Sequence, residues 1–187
     1  MKLLRSSSIQ YALICIWMLG LTGCSDRGQN VLSPSTSQLP NLIVERLRWM
    51  DEVAMVKQAR SLPVTDAKRE AELLAAVEVQ AAQQGIPPRA ARDFFAGQIE
   101  AAKNFQMEWL AQHLQQPTDT SSLPDLAKDV RPALDHIGQR MLAALAVSRR
   151  EDKPELVVPA AVTALKQAGF SQSVIVAAIT GLEAGLR

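Results

Sequence analysis

An all-α fold is predicted by three observations. From Pro40 onward apolar residues recur at three- and four-residue spacings, no alternating strand pattern of useful length appears, and Gly, Pro and Ser punctuate the stretches between. No repeat of fixed period runs along the chain. The first helix is expected over about 41–60, with Leu42, Leu47, Met50, Val53, Ala54 and Val56 as its apolar positions. Pro63 ends it by disfavouring helical geometry in Leu62. Asp66 is placed to cap a second helix of about 67–84, which stops at Gly85, the residue type that follows a helix most readily. Pro87 and Pro88 open a third helix of about 88–115. A loop over about 115–124 leads to a fourth helix of about 125–149. Two shorter helices, about 157–168 and 171–185, are divided at Gly169, with Ser171 as a cap. The whole is a single-domain bundle of about six helices.

The segment ahead of the bundle is of another kind. A cationic start without acids precedes an apolar run at 11–22, too short to cross a bilayer of about 30 Å as a helix but suited to a secretory signal. Residues 1–23 are therefore expected to be removed, and 24–39, rich in Ser, Pro, Gly and Asn, to act as a flexible tether to a domain of 40–187. Both cysteines, Cys15 and Cys24, fall in or at the end of the signal, so the domain has none to pair and must hold together by its core. Loss of Lys2 and Arg5 leaves 18 of the 20 Lys and Arg against 19 Asp and Glu. That near neutrality argues against nucleic acid as a partner.

Cations stand at odd places in the bundle. Arg69 and Lys68 occupy the first turn of the second helix, where the macrodipole disfavours a cation by roughly 0.3–1 kcal/mol. Arg46 and Lys57, eleven residues apart, project from one face of the first helix at about 16 Å spacing. On the third helix Gln98, Ala102 and Gln106 form a stripe amid Phe95, Ile99, Phe105 and Trp109, and on the fourth Arg140 stands beside Met141, Leu142, Leu145 and Ala146. One such charge is ordinarily a solvated face. Together, cations short of carboxylate partners need an anion wherever they leave water, and Arg suits bidentate carboxylate contacts. Chemistry alone reaches a pocket for a small dicarboxylate or a phosphate.

The ordered set is more specific. Arg46, Lys57, Asp66, Arg69 and Glu70, then Gln98 to Lys103 with Gln106, then Arg140-Met141-Leu142, resembles the helical chorismate mutases of the AroQ class, and among them the exported gamma subclass. The likeness covers about 40–150, with additional helices at 157–187 as that subclass also carries. It implies the isomerisation of chorismate to prephenate with no cofactor, metal or covalent intermediate. On this resemblance Arg46 and Arg140 hold the two carboxylates and Arg69 binds the substrate as well. Lys57 and Gln106 donate to the ether oxygen, Glu70 accepts from the ring hydroxyl, and Asp66 shapes that side. Ala102 stands where some relatives have Ser or Thr, and Gln106 where others have Glu. Leu21-Thr22-Gly23-Cys24 resembles a bacterial lipobox, implying that Cys24 is lipidated and anchors the protein to a membrane. Ordinary cleavage nearby is the alternative. By resemblance to sorted lipoproteins, Ser25 implies the outer membrane over inner-membrane retention, an implication that Asp26 beside it weakens.

Other residues carry less. His113 and His136 lie on different helices without a ligand pattern and are read as surface or capping groups, not as a metal site. The serines lack a nucleophile-elbow context. Trp49, Trp109, Phe94 and Phe95 are read as core and Arg48 and Arg60 as surface, while Lys103, which could rim the pocket, is read first as a solvated lysine. Two rival readings stand beside the enzyme: a non-catalytic helical lipoprotein that binds an anionic metabolite or partner, and a purely structural envelope protein. A homodimer and a monomer are equally compatible, because helical faces that dimerise look like faces that pack internally.

Overall fold

Helices alone make up the regular structure of the described residues, 38–114, 123–150 and 154–187 of the computed structural model. In order these are α1 (Gln38–Arg48), α2 (Met50–Ala59), α3 (Ala67–Gln83), α4 (Pro88–His113), a π-helical turn (Leu126–Val130), α5 (Arg131–Arg150), α6 (Pro154–Gln167) and α7 (Gln172–Leu186). The all-α expectation holds. The expected signal, Cys24 and nearly all of the tether lie outside the described residues. No described helix is long and apolar enough to cross a membrane.

The first expected helix differs from its prediction at both its start and its middle. It begins at Gln38, because Leu39 is fully buried and belongs to the core, not to a tether. Pro40 is tolerated there, since the first-turn N–H groups have no intrahelical partner to lose. At Trp49 the backbone flattens to ψ −9°, which divides α1 from α2, yet Val53 N–H still donates to the Trp49 carbonyl at 3.2 Å. The two form one rod with a single loosened joint. The turn after α2 passes through Ser61 in the left-handed region at φ 51° and delivers the chain to Asp66.

Asp66 caps α3 reciprocally: its Oδ1 accepts from the Arg69 N–H at 3.1 Å, while its own N–H donates to Glu70 Oε1 at 3.2 Å. Gly85, at φ 73°, ends the helix as expected. The centre of the molecule is α4, about 39 Å long by helical rise, which packs on α2, α3 and α7. Its approach to α7 is close. A Cβ on Gly97 would fall 2.5 Å from Gly181 Cα, so only two glycines let these backbones meet. Buried Gln98 adds a polar tie, donating from Nε2 to the Ala178 carbonyl at 3.1 Å. On the other side α1 packs against α5 and α6.

The fourth expected helix opens differently from its prediction. Asp125 caps a π turn, accepting from the N–H groups of Ala127 and Lys128. Pro132 supplies the physical reason for the irregularity, since it has no N–H to offer the Lys128 carbonyl and the regular ladder cannot start across it. The α6 helix starts at Pro154, earlier than expected, and Ser171 caps α7 by accepting from the Val174 N–H. Of α3 only Val77 and Ala81 are buried, so this helix closes loosely over its neighbours and leaves a hollow.

Candidate active site

That hollow, about 340 Å³, lies between α2, α3, α4, the π turn and α5, with Arg46 reaching in from α1. Met50, Val53, Leu73, Phe95, Ile99 and Leu134 give it apolar walls. Five cations line it, Arg46, Lys57, Arg69, Lys103 and Arg131, against four carboxylates, Asp66, Glu70, Glu72 and Asp135. The positions that the sequence placed on one face of the first helix do converge here.

Arg46 is 6% exposed, and its Nη1 donates to the Gln98 carbonyl at 3.2 Å. A guanidinium has five N–H donors, so this anchor leaves most of them for a guest. Loss of water pushes its pKa down to about 10, and the charge of Asp135 opposes the fall. Arg46 therefore stays charged at neutral pH. Lys57 is half-buried and donates from Nζ to the Val64 carbonyl at 2.6 Å, tying α2 to the turn ahead of α3. Burial lowers its pKa, Asp66 and Glu70 oppose the drop, and Arg131 adds to it.

Arg69 does not stand bare against the helix dipole. Its Nη2 donates to both oxygens of Asp135 on α5, at 2.9 and 3.3 Å. Asp66 and Glu70 are committed to the α3 cap, and the second Glu70 oxygen lies 3.9 Å from Lys103 Nζ. Ala102 is buried wall. Gln106 is 4% exposed and donates from Nε2 to the Ala102 carbonyl at 3.0 Å and to Met50 Sδ at 3.6 Å, while its Oε1 is buried without a partner. Turning the amide over would set two oxygens face to face at Ala102, so the assigned orientation is the favourable one.

The sequence of residues 36–107 matches the chorismate mutase type II family. The fold superimposes on the crystal structure of chorismate mutase from Burkholderia thailandensis with a TM-score of 0.69, at 30% identity over 81% of this chain and 98% of that one. The chain belongs to the chorismate mutase type II family. Among its other relatives in that family, the secreted chorismate mutase of Yersinia pestis is 29% identical over 124 residues, 66% of each chain, a little short of two thirds of that protein's length. The crystal structure of secreted chorismate mutase from Yersinia pestis gives a TM-score of 0.70 at 25% identity, covering 78% of this chain and 95% of that one.

Within this chorismate mutase fold the cavity differs from the sequence expectation at two cations. Arg140 lies away from it, 49% exposed, with Nη1 donating to both oxygens of Glu45 on α1 at 3.0 and 3.2 Å. Arg131 lines it instead. The two are nine residues apart on α5, about two and a half turns, so they point in opposite directions and only one can face the hollow. The family match ends at residue 107, ahead of both. A signal was available in the sequence: Arg131, Leu134, Asp135 and Gly138 fall on one helical stripe flanking the apolar positions Val130, Ile137 and Met141. Lys103 is the other addition, lining the cavity while paired with Glu100 at 3.0 Å, where a solvated lysine was expected. Gln98 supports the cavity from beneath without lining it. Trp109 is half-buried and stacks on His113 at 4.0 Å, so it is less a core residue than expected.

Proposed function

We propose that this protein converts chorismate to prephenate by a cofactor-free sigmatropic rearrangement, with Arg46, Lys57, Arg69, Gln106 and Arg131 as the groups that hold and polarise the substrate. One observation carries the assignment of residues: cations from five helices, α1 to α5, converge on one apolar-walled hollow in a chain of this family. Chorismate bears two carboxylates and an enol-ether oxygen, and the breaking C–O bond develops negative charge on that oxygen. Clamping both carboxylates draws the molecule into the compact shape from which it reacts. Donors already aimed at the ether oxygen then stabilise the transition state more than the ground state. An acceleration of 10⁶ requires about 8 kcal/mol, and charge-assisted hydrogen bonds of about 1.5–3 kcal/mol each, added to orientation, reach that scale.

The residues divide the work by position. Arg46, with donors to spare, and Arg131 take the carboxylates, with Arg69 as a further donor to one of them, in place of the pairing of Arg46 with Arg140 that the resemblance implied. Lys57 donates to the ether oxygen from one side. Gln106 donates from the other, and it can do so because one of its N–H groups rests on Met50 Sδ, a weak acceptor that an ether oxygen displaces easily. Glu70 and Asp66, held at the α3 cap, face the ring hydroxyl side. All of these groups belong to one chain, so the reading needs no second subunit.

Export, membership of the gamma subclass and lipidation at Cys24 with outer-membrane anchoring complete the proposal. They are supported by the apolar run at 11–22, the Leu-Thr-Gly-Cys ending and likeness to a secreted relative. Purified protein should consume chorismate with loss of its ultraviolet absorbance and appearance of prephenate. A sample that is helical by circular dichroism yet inert would instead favour a non-catalytic binder of anions. Labelling by radioactive palmitate, lost in Cys24→Ala, tests the anchor.

A further inference from the structure

The Arg69–Asp135 pair is unlike the other charge contacts of the cavity. Asp66 and Glu70 accept from backbone N–H groups or hold the cap of α3, so they cannot leave without loosening that helix. Asp135 sits inside α5, four residues after Arg131, and caps nothing. Its carboxylate meets Arg69 through one nitrogen, with the two side chains 36% and 54% exposed. Such a pair is held loosely. Asp135 also supplies the favourable charge that reaches Arg46. The cation in the first turn of α3, which the sequence left waiting for an anionic ligand, thus has a resident anion already.

We propose that Asp135 is a resident counter-ion that competes with a substrate carboxylate for Arg69. In the empty cavity it keeps Arg69 in place among the like charges of Lys57 and Arg131. Binding then exchanges one carboxylate for another at Arg69. The charge balance supports this. Five cations against four carboxylates leave the lining one positive charge in excess, whereas a dicarboxylate carries two negative charges. Neutralising Asp135 would bring the lining to the matching value. This inference rests on the chorismate mutase activity proposed above, and Asp135 acts through Arg69, not on the reacting atoms.

The test is steady-state kinetics of the full protein with Asp135→Asn, and with Asp135→Ser as a second variant should the first not fold. KM for chorismate should fall about two- to fivefold, the range a half-exposed ion pair corresponds to, with kcat within about twofold because no contact to the reacting bonds is lost. The gain should shrink in high salt, where a charge effect is screened. Asp135→Glu should restore the wild-type KM. Asp93→Asn, which neutralises a carboxylate paired with Arg89 away from the cavity, should leave KM unchanged. An active wild type with an unchanged or higher KM in the folded Asn and Ser variants overturns the counter-ion role alone. A wild type inert toward chorismate removes the activity and this inference with it.

Discussion

Arg131 and Arg140 are the same side chain on the same helix, and geometry alone separates their roles. Arg140→Ala should change kcat/KM by less than about twofold, because it removes an exposed pair with Glu45 worth about 0–1 kcal/mol. Arg131→Ala should lower kcat/KM by about 10²-fold or more, the scale of one lost transition-state donor. Comparable losses in the two variants would reverse the assignment. The pH profile belongs to this scale too. Gln106 donates without a titrating proton, so the rate should be nearly flat over roughly pH 5–8. Lys57 must be protonated to donate, and burial holds its pKa below the ordinary lysine value. The alkaline loss of activity should therefore begin earlier than an unperturbed lysine would allow, as pH rises through the lowered value. Gln106→Glu should make the rate fall with rising pH even below that limb, since a carboxylate donates only while protonated. A flat profile in that variant would remove Gln106 from the reacting centre.

Elements place these side chains, and the α4–α7 contact is the tightest constraint on them. Gly97→Ala puts a methyl group within 2.5 Å of the Gly181 backbone, with no flexible side chain there to yield. Overpacking of this kind costs about 1–3 kcal/mol, so the melting temperature should drop by about 2–12 °C. Thermal unfolding followed by circular dichroism measures it, and an unchanged midpoint would mean the helices can separate freely. The π turn matters for a different reason. It absorbs the missing N–H of Pro132 and sets the rotation of α5, so Arg131 and Asp135 face the hollow while Arg140 meets α1. A regular start to the helix was the natural expectation from spacing alone. The proline was visible in the sequence, but how the backbone would relax around it was not.

At the scale of the molecule, a charged cavity and a cysteine-free domain must coexist. Stability comes from packing around residues such as Ile43, Leu47, Phe94, Met141 and Leu182, with no disulfide between residues 38 and 187 to assist. Arg46, buried with its charge retained, is a liability that an anion relieves. A non-reactive cyclic dicarboxylate at about 100 times its dissociation constant should stabilise the fold by about 2.7 kcal/mol, seen as a rise of about 5–11 °C in the melting temperature. Arg46→Ala should abolish that rise. A rise that persists in the variant would place the anion elsewhere.

The all-α class, most helix positions and most caps follow from the sequence by itself, because helical periodicity and capping are local properties. That Arg46, Lys57, Arg69 and Gln106 share one site was implied by the family resemblance, not by spacing. Asp66 and Gly85 mark the ends of α3 whatever surrounds them. Which arginine of α5 enters the cavity, and that Asp135 rather than solvent meets Arg69, were decided only in the tertiary structure. Both depend on the rotation of one helix about its axis relative to another. That rotation is set by packing between residues distant in the chain and by the relaxation at Pro132; the stripe of Arg131, Leu134, Asp135 and Gly138 agrees with it but does not fix it.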